Sequence, residues 1–208
     1  MFYATDADDH GLPHDPFKAI VAPRPIGWIS TRARDGSVNL SPYSYFNALS
    51  DDPKLVMFSS SGFKHSAEFA IESGEFVANL ATGPLARALV KSSAPAERGV
   101  SEFALAGLTE AACRLVKAPR VAESPAALEC RVTEHFVPKS LSGEPSANHV
   151  VIGQVVGIHI DEAILRDGMI DMALAQPLSR LGYLDYAVTD SVFPLRRPRT
   201  HDASDPWL

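Results

Sequence analysis

Hydroxyl groups and a lysine crowd into Ser59-Ser60-Ser61-Gly62-Phe63-Lys64-His65-Ser66, between an apolar run and a helix-like stretch. Main-chain N–H groups at a helix N-terminus lack partners within the helix, and the helix dipole favours negative charge there. Three serines, a glycine that permits close approach, a lysine and a further serine would suit a phosphate monoester. The same residues also read as a serine-rich connection, with Ser66 or His65 merely capping the helix. The spacing of glycine and lysine is not that of a P-loop.

A second group lies upstream. Arg24-Pro25-Ile26-Gly27-Trp28-Ile29-Ser30-Thr31 precedes an Asp35-Gly36 turn and then Asn39-Leu40-Ser41-Pro42-Tyr43-Ser44-Tyr45-Phe46-Asn47, of which Ser41 to Asn47 reads as a loop. The apolar Ile26 and Trp28 sit beside Ser30, Thr31, Ser44 and Asn47, while Tyr45 and Phe46 could flank a ring system. That mixture suits a flat, partly apolar ligand with a polar or anionic tail, such as a flavin nucleotide. Equally, Trp28, Tyr45 and Phe46 could fill the core and Pro42 shape a turn.

His149 opens a long apolar strand pattern, where it could position a nicotinamide or carry a proton near neutrality; it also reads as a solvated strand end. The other histidines show no paired ligand spacing, so no metal site is expected. Nothing matches a nucleophile elbow or a Gly-x-Gly-x-x-Gly fingerprint.

The elements that must position these groups are mostly strands. Strand patterns run over Ile26 to Ser30, Lys54 to Ser59, Glu75 to Leu80, Arg114 to Lys117, Ala127 to Val137 and His149 to Ile160, with Asp35-Gly36 as a hairpin signal. Ser66 to Ser73 reads as a helix stopped by Gly74, and Pro84 to Lys91 as a helix with proline in its first turn. Ser92 to Gly99 is small and proline-bearing, a candidate mobile excursion. Six or seven strands with few, peripheral helices and short connections predict a mainly β, antiparallel barrel-like core.

With 208 residues, the chain suits a single domain, 1–208, with 1–20 as a lead-in and 196–208 as a tail. A formal charge of -6 argues against a nucleic-acid binder, which usually carries a basic patch. The basic cluster Arg196-Arg197-Pro198-Arg199 reads as a solvated tail or a latch onto a partner subunit. No apolar run approaches the roughly 20 residues of a membrane helix. The N-terminus lacks the order of a secretion signal, and Cys113 and Cys130 read as reduced core residues, so a cytoplasmic location is expected.

Taken together, the segments resemble the flavin reductase-like family of FMN-binding split-barrel proteins, in the branch that includes the reductase component of nitrilotriacetate monooxygenase. The similar stretches are Arg24 to Thr31, Asp35 to Asn47, Asp52 to Ser60, Gly74 to Leu80, Arg114 to Cys130, Val151 to Ile160 and Pro177 to Gly182. The resemblance implies an antiparallel split β-barrel and a homodimer with each FMN near the subunit boundary. It implies that Trp28, Ser30 and Thr31 line the flavin, that Ser44, Tyr45, Phe46 and Asn47 contact its ring edge, and that Ser59, Ser60, Ser61, Lys64 and Ser66 hold the phosphate. The activity implied is flavin reduction by NADH or NADPH, feeding a monooxygenase. The alternative is an FMN-binding electron carrier or flavin-handling protein without its own nicotinamide activity.

Two departures stand out. Lys64-His65-Ser66 replaces the family's common Lys-Asp-Thr, so a His65 near the phosphate would make affinity respond to pH around neutrality. In the column of the histidine that short flavin reductases carry, this chain has Asn148. His149 falls one residue later, on the opposite face of a strand.

Overall fold

Along Lys54–Ser61 every second residue is buried, the period of a strand with one face on a core. The computed structural model describes residues 1–7 and 9–195 and turns this pattern into the frame of the molecule. The basic cluster Arg196 to Arg199, and the tail as a whole, lie outside the described residues.

The strands are β1 (Arg24–Pro25), β2 (Gly27–Arg32), β3 (Val38–Tyr43), β4 (Phe46–Asp51), β5 (Lys54–Ser61), β6 (Glu75–Leu80), β7 (Glu110–Ala111), β8 (Arg120–Val121), β9 (Ala126–Phe136), β10 (Asn148–Ile160), β11 (Leu165–Arg166), β12 (Met169–Ile170), β13 (Leu178–Arg180) and β14 (Tyr186–Val188). Seven of them form one curled antiparallel half-barrel sheet in the order β3-β2-β6-β9-β10-β5-β4. A smaller sheet, β1-β13-β14, sits beside it. The helices are α1 (Phe17–Ile20), α2 (His65–Ser73), α3 (Ala86–Lys91), α4 (Glu102–Ala106) and α5 (Met172–Ala175). Gly74 ends α2 in the left-handed conformation at φ 78°, which glycine adopts at no steric cost.

Alternate residues of β2 serve two cores. Ile29 packs with Tyr43, Phe58, Phe76 and the α2 residues Ala67 and Ala70. Trp28, from the other face, packs with Leu40, Leu89 of α3, Phe103 of α4 and Leu178 of β13. Gly27 has a steric role: a Cβ there would meet the Phe46 ring at 2.4 Å. Phe46 therefore lies across the sheet only because position 27 carries no side chain.

Two expectations are corrected. Arg114 to Lys117 is not a strand, because carboxylates take the main-chain donors a neighbouring strand would have taken. Glu129 accepts from the N–H groups of Arg114, Leu115 and Val116, and Glu75 from those of Lys117 and Ala118. Ser41 to Asn47 is mostly strand, leaving only Ser44 and Tyr45 as the corner between β3 and β4. Within Ser92 to Gly99, the candidate mobile excursion, the Arg98 guanidinium reaches Asp35 and Glu68 at 2.9 Å each and lies over the Phe69 ring at 4.8 Å.

Candidate functional site

The β3–β4 corner, the end of β5 and the first residue of β10 converge on two adjoining clefts. The first, of about 370 Å³, is lined by four cations (Lys18, Arg24, Lys64 and Arg180) and by Ser44, Ser59, Ser61 and four tyrosines, without a carboxylate among the described residues. The second, of about 570 Å³, is largely apolar, walled by Phe17, Val21, Phe46, Met57, Pro138 and Val150. Lys18, Arg24, Ser44, Tyr45 and Ser59 border both.

Arg24 organises the junction. Its guanidinium is buried and donates to the carbonyls of Lys18, Val21 and Leu181, while its Nε lies 3.5 Å from Ser44 Oγ. Carbonyl oxygens satisfy the N–H groups but leave the net charge unneutralised. Among the described residues no carboxylate pairs with Arg24, so its charge faces the cleft. Arg180 is held in turn by the Tyr183 carbonyl and stacks on Tyr186 at 4.5 Å. Tyr183 itself has φ 54°, an unusual conformation for a non-glycine residue.

Of the residues expected at the site, Ser44, Tyr45, Ser59, Ser61 and Lys64 line the cationic cleft, and Phe46 and Asn47 join the apolar one. Four others point elsewhere. Trp28 is fully buried, its Nε1 donating to Ser92 Oγ at 2.9 Å. Ser30 is also buried, donating to the Pro119 carbonyl and accepting from Asn79. Thr31 is buried on the α2 side of the sheet with its Oγ1 unpartnered. Ser60 sits on the opposite face of β5 from Ser59 and Ser61 and donates to the Gly62 carbonyl at 2.8 Å. The strand continues through Ser61, so consecutive serines cannot share a face.

Ser66 is a mixed case. Its hydroxyl donates to Asn39 Oδ1, and Asn39 Nδ2 donates to the buried Glu102 carboxylate at 2.7 Å. The side chain is thus committed to the protein, while the residue borders a third cleft of about 360 Å³ with Lys64 and His65. His65 stacks on Phe69 at 5.2 Å and borders this third cleft, not the cationic one. Neither Ser66 nor His65 caps α2; Lys64 is its N-cap residue and makes no side-chain cap bond.

Sequence reasoning missed Lys18, Arg180, Tyr183 and Asn148 as cleft residues, and gave Arg24 no role. Asn148 Nδ2 donates to Ser59 Oγ at 2.9 Å and borders the apolar cleft. His149 packs on the Phe63 ring at 4.9 Å and borders neither the apolar nor the cationic cleft. Strand alternation separates the two.

The curled antiparallel sheet and its helix-covered core define a split-barrel protein of the flavin reductase class. Residues 21–178 match the flavin reductase like domain, and the chain belongs to that family. Protein BH2278 of Halalkalibacterium halodurans is 36% identical over 184 residues, covering 86% of this chain and 87% of its own. Among solved structures, nitrilotriacetate monooxygenase component B from Bacillus cereus is 27% identical, with TM-score 0.85 and coverage of 94% and 98%. The 2-nitrobenzoate 2-nitroreductase NbaA of Pseudomonas fluorescens, 23% identical with TM-score 0.83 over 98% and 100% of the chains, shares the fold. The family supports a flavin-related oxidoreductase. Among the described residues no helix is long and apolar enough to cross a membrane.

Proposed function

We propose that the chain is an FMN-binding oxidoreductase that takes electrons from NADH or NADPH and passes them on, with a monooxygenase as the fitting acceptor. The observation that carries this reading is the junction of an apolar cleft with one lined by four cations and, among the described residues, by no carboxylate. A flat ring with an anionic tail has complementary surfaces in those two spaces. When bound, FMN supplies the hydride-accepting ring and the store of electrons.

The chain's own residues bind and orient. Lys64, Arg24, Ser59 and Ser61 favour the phosphate by charge and hydroxyl donors. Phe46, Met57 and Val150 keep water from the ring. Ser44 and Tyr45, on the two-residue corner, offer main-chain groups to its polar edge. Hydride transfer needs no protein acid or base, which agrees with a cleft that has no carboxylate or histidine among its described lining residues.

A monooxygenase acceptor is supported by the likeness to nitrilotriacetate monooxygenase component B. Exposed Phe17 and Val21 beside the apolar cleft support a homodimer that covers this edge, and two free cysteines support a reducing cytoplasm.

A second reading is an electron carrier without nicotinamide activity. The placement of His149 against Phe63, with Asn148 facing Ser59, favours it. One experiment separates the two: saturate the protein with FMN, then follow flavin absorbance anaerobically on adding NADH or NADPH. Bleaching by either nucleotide supports the reductase. Retained FMN that only a protein donor bleaches selects the carrier, and failure to bind FMN overturns both.

A further inference from the structure

At the opposite end of β10, three ligand-type side chains from three segments meet. One ligand atom each of Cys113, Glu129 and His159 lies within 4.8 Å of the others. Cys113 comes from the irregular segment before β8, Glu129 from β9 and His159 from β10. Gly157 stands directly opposite Glu129 in the strand register and presents no side chain. The diagonal neighbour His159 can therefore reach across, bringing Nε2 to 2.6 Å from Glu129 Oε1. The β9–β10 register also shifts between Val155 and Gly157, a bulge of the kind that re-aims side chains.

The Glu129 carboxylate is buried and held on its inner side by main chain. Oε1 accepts from Arg114 N–H, and Oε2 from Leu115 and Val116 N–H. On its outer side Oε1 meets His159 Nε2. A cleft of about 340 Å³, bordered by Glu129, Gly157 and His159, opens beside the cluster.

We propose that Cys113, Glu129 and His159 bind a divalent cation of the Zn²⁺ class through three protein ligands, with the fourth position open to this cleft. A sulfur, an imidazole nitrogen and a carboxylate oxygen form a donor set that Zn²⁺ accepts. Zn²⁺ bonds of about 2.0–2.3 Å place tetrahedral ligand atoms about 3.3–3.8 Å apart. That spacing lies between the 2.6 Å of the Glu129–His159 pair and the 4.8 Å span of the cluster. A small rotation of the partly exposed His159 ring supplies the adjustment.

The three N–H donors on Glu129 would act as the outer support that orients a ligating carboxylate. Burial and the Glu129 charge push the Cys113 thiol up to about 11. A bound cation opposes both effects, and its binding releases the thiol proton to solvent. The ion would clamp the segment before β8 onto β9 and β10.

The test is a titration of chelator-treated, full-length protein with Co²⁺, followed by absorbance. A near-ultraviolet thiolate-to-Co²⁺ band with tetrahedral visible bands, saturating at one ion per chain, is expected. The band should vanish in Cys113→Ser, weaken about tenfold or more in affinity in His159→Ala, and bleach on adding Zn²⁺. Independently of any variant, Zn²⁺ should protect Cys113 from alkylation in a peptide map. No band, a band unchanged in Cys113→Ser, or a thiol alkylated equally with and without Zn²⁺ overturns the proposal. FMN binding is read separately and is expected to be unaffected.

Discussion

The two ends of β10 handle charge in opposite ways. Near Asn148 the cations Lys18, Arg24, Lys64 and Arg180 border a cleft with no carboxylate among the described residues. Near His159 the carboxylate of Glu129 is wrapped by three main-chain N–H groups. Glu75 and Glu102 repeat the second pattern, binding the N–H groups of Lys117 and Ala118 and that of Leu40. Acidic side chains thus stand in for missing strand neighbours, and their charge is spent on holding segments in place. The cleft cations are satisfied by carbonyls, if at all, and their charge remains available to a ligand. A stabilising hydrogen bond and a neutralised charge are different things, and this fold separates them along a single strand.

The largest effect should come from Arg24→Met. It strands the carbonyls of Lys18, Val21 and Leu181 and removes the central cation of the cleft. A loss of about 3 kcal/mol in urea unfolding is expected, because charged hydrogen bonds contribute about 1.5–3 kcal/mol each and solvent recovers part of the loss. FMN retention through gel filtration should fail as well. An Arg24→Met protein of unchanged stability that still retains FMN would break the contrast between the two ends.

Glu129→Gln should cost nearly as much, about 2–3 kcal/mol, since an amide group would meet inward-pointing N–H donors. FMN affinity should not change. Burial alone would raise the Glu129 pKa, but the N–H groups of Arg114 and Leu115, with His159, overcome it and hold the carboxyl below its usual value. A depressed folded pKa gives stability that is present above the unfolded value of about 4.3 and is lost as pH falls through the lower folded value. The acid-unfolding curve of Glu129→Gln should lack this component.

The intermediate effect sharpens the cation side. Lys64→Ala should weaken FMN binding about tenfold, near 1.4 kcal/mol, with unfolding unchanged. Fluorescence titration at two salt concentrations checks it, and the salt dependence should shrink in the variant.

Much of this was legible from local rules. The Asp35-Gly36 hairpin, the Gly74 stop and the alternation along Lys54–Ser61 all depend on neighbours within a few residues. The serine run is half legible: Ser59 and Ser61 line the cleft, and strand alternation turns Ser60 toward the Gly62 carbonyl. Trp28 and Ser30 are held by partners that no local rule reveals, since Ser92 and Pro119 lie 64 and 89 residues away. The Arg114 to Lys117 segment carries β-type residues, yet two glutamates remote in sequence outbid a strand neighbour. His159 shows no ligand pairing in sequence because Glu129 reaches it only through the β9–β10 register, and Cys113 only through the main-chain bonds that hold Arg114 to Val116 on Glu129.

The smallest effect concerns the tethered loop. Arg98 touches Asp35 and Glu68 at 2.9 Å and Glu72 at 3.8 Å, all at the surface, where such pairs are largely screened. Arg98→Ala should leave the global unfolding midpoint unmoved. Loop opening is a local event, however, and need not follow the global midpoint. Cleavage of residues 92–100 under limited proteolysis should therefore quicken in the variant. The Ser37 N–H first, and Arg98 second, hold the Asp35 carboxyl at about 2. The linked stabilisation is complete above the unfolded value of about 3.9 and is lost as pH falls through 2. An Asp35 titration by NMR should move only part of the way up in Arg98→Ala, because the Ser37 donor remains. A full return to the ordinary carboxylate range would give the whole effect to the cation. It would then be the arginine, and not the main chain, that sets an acidic group here, against the pattern seen at Glu75, Glu102 and Glu129.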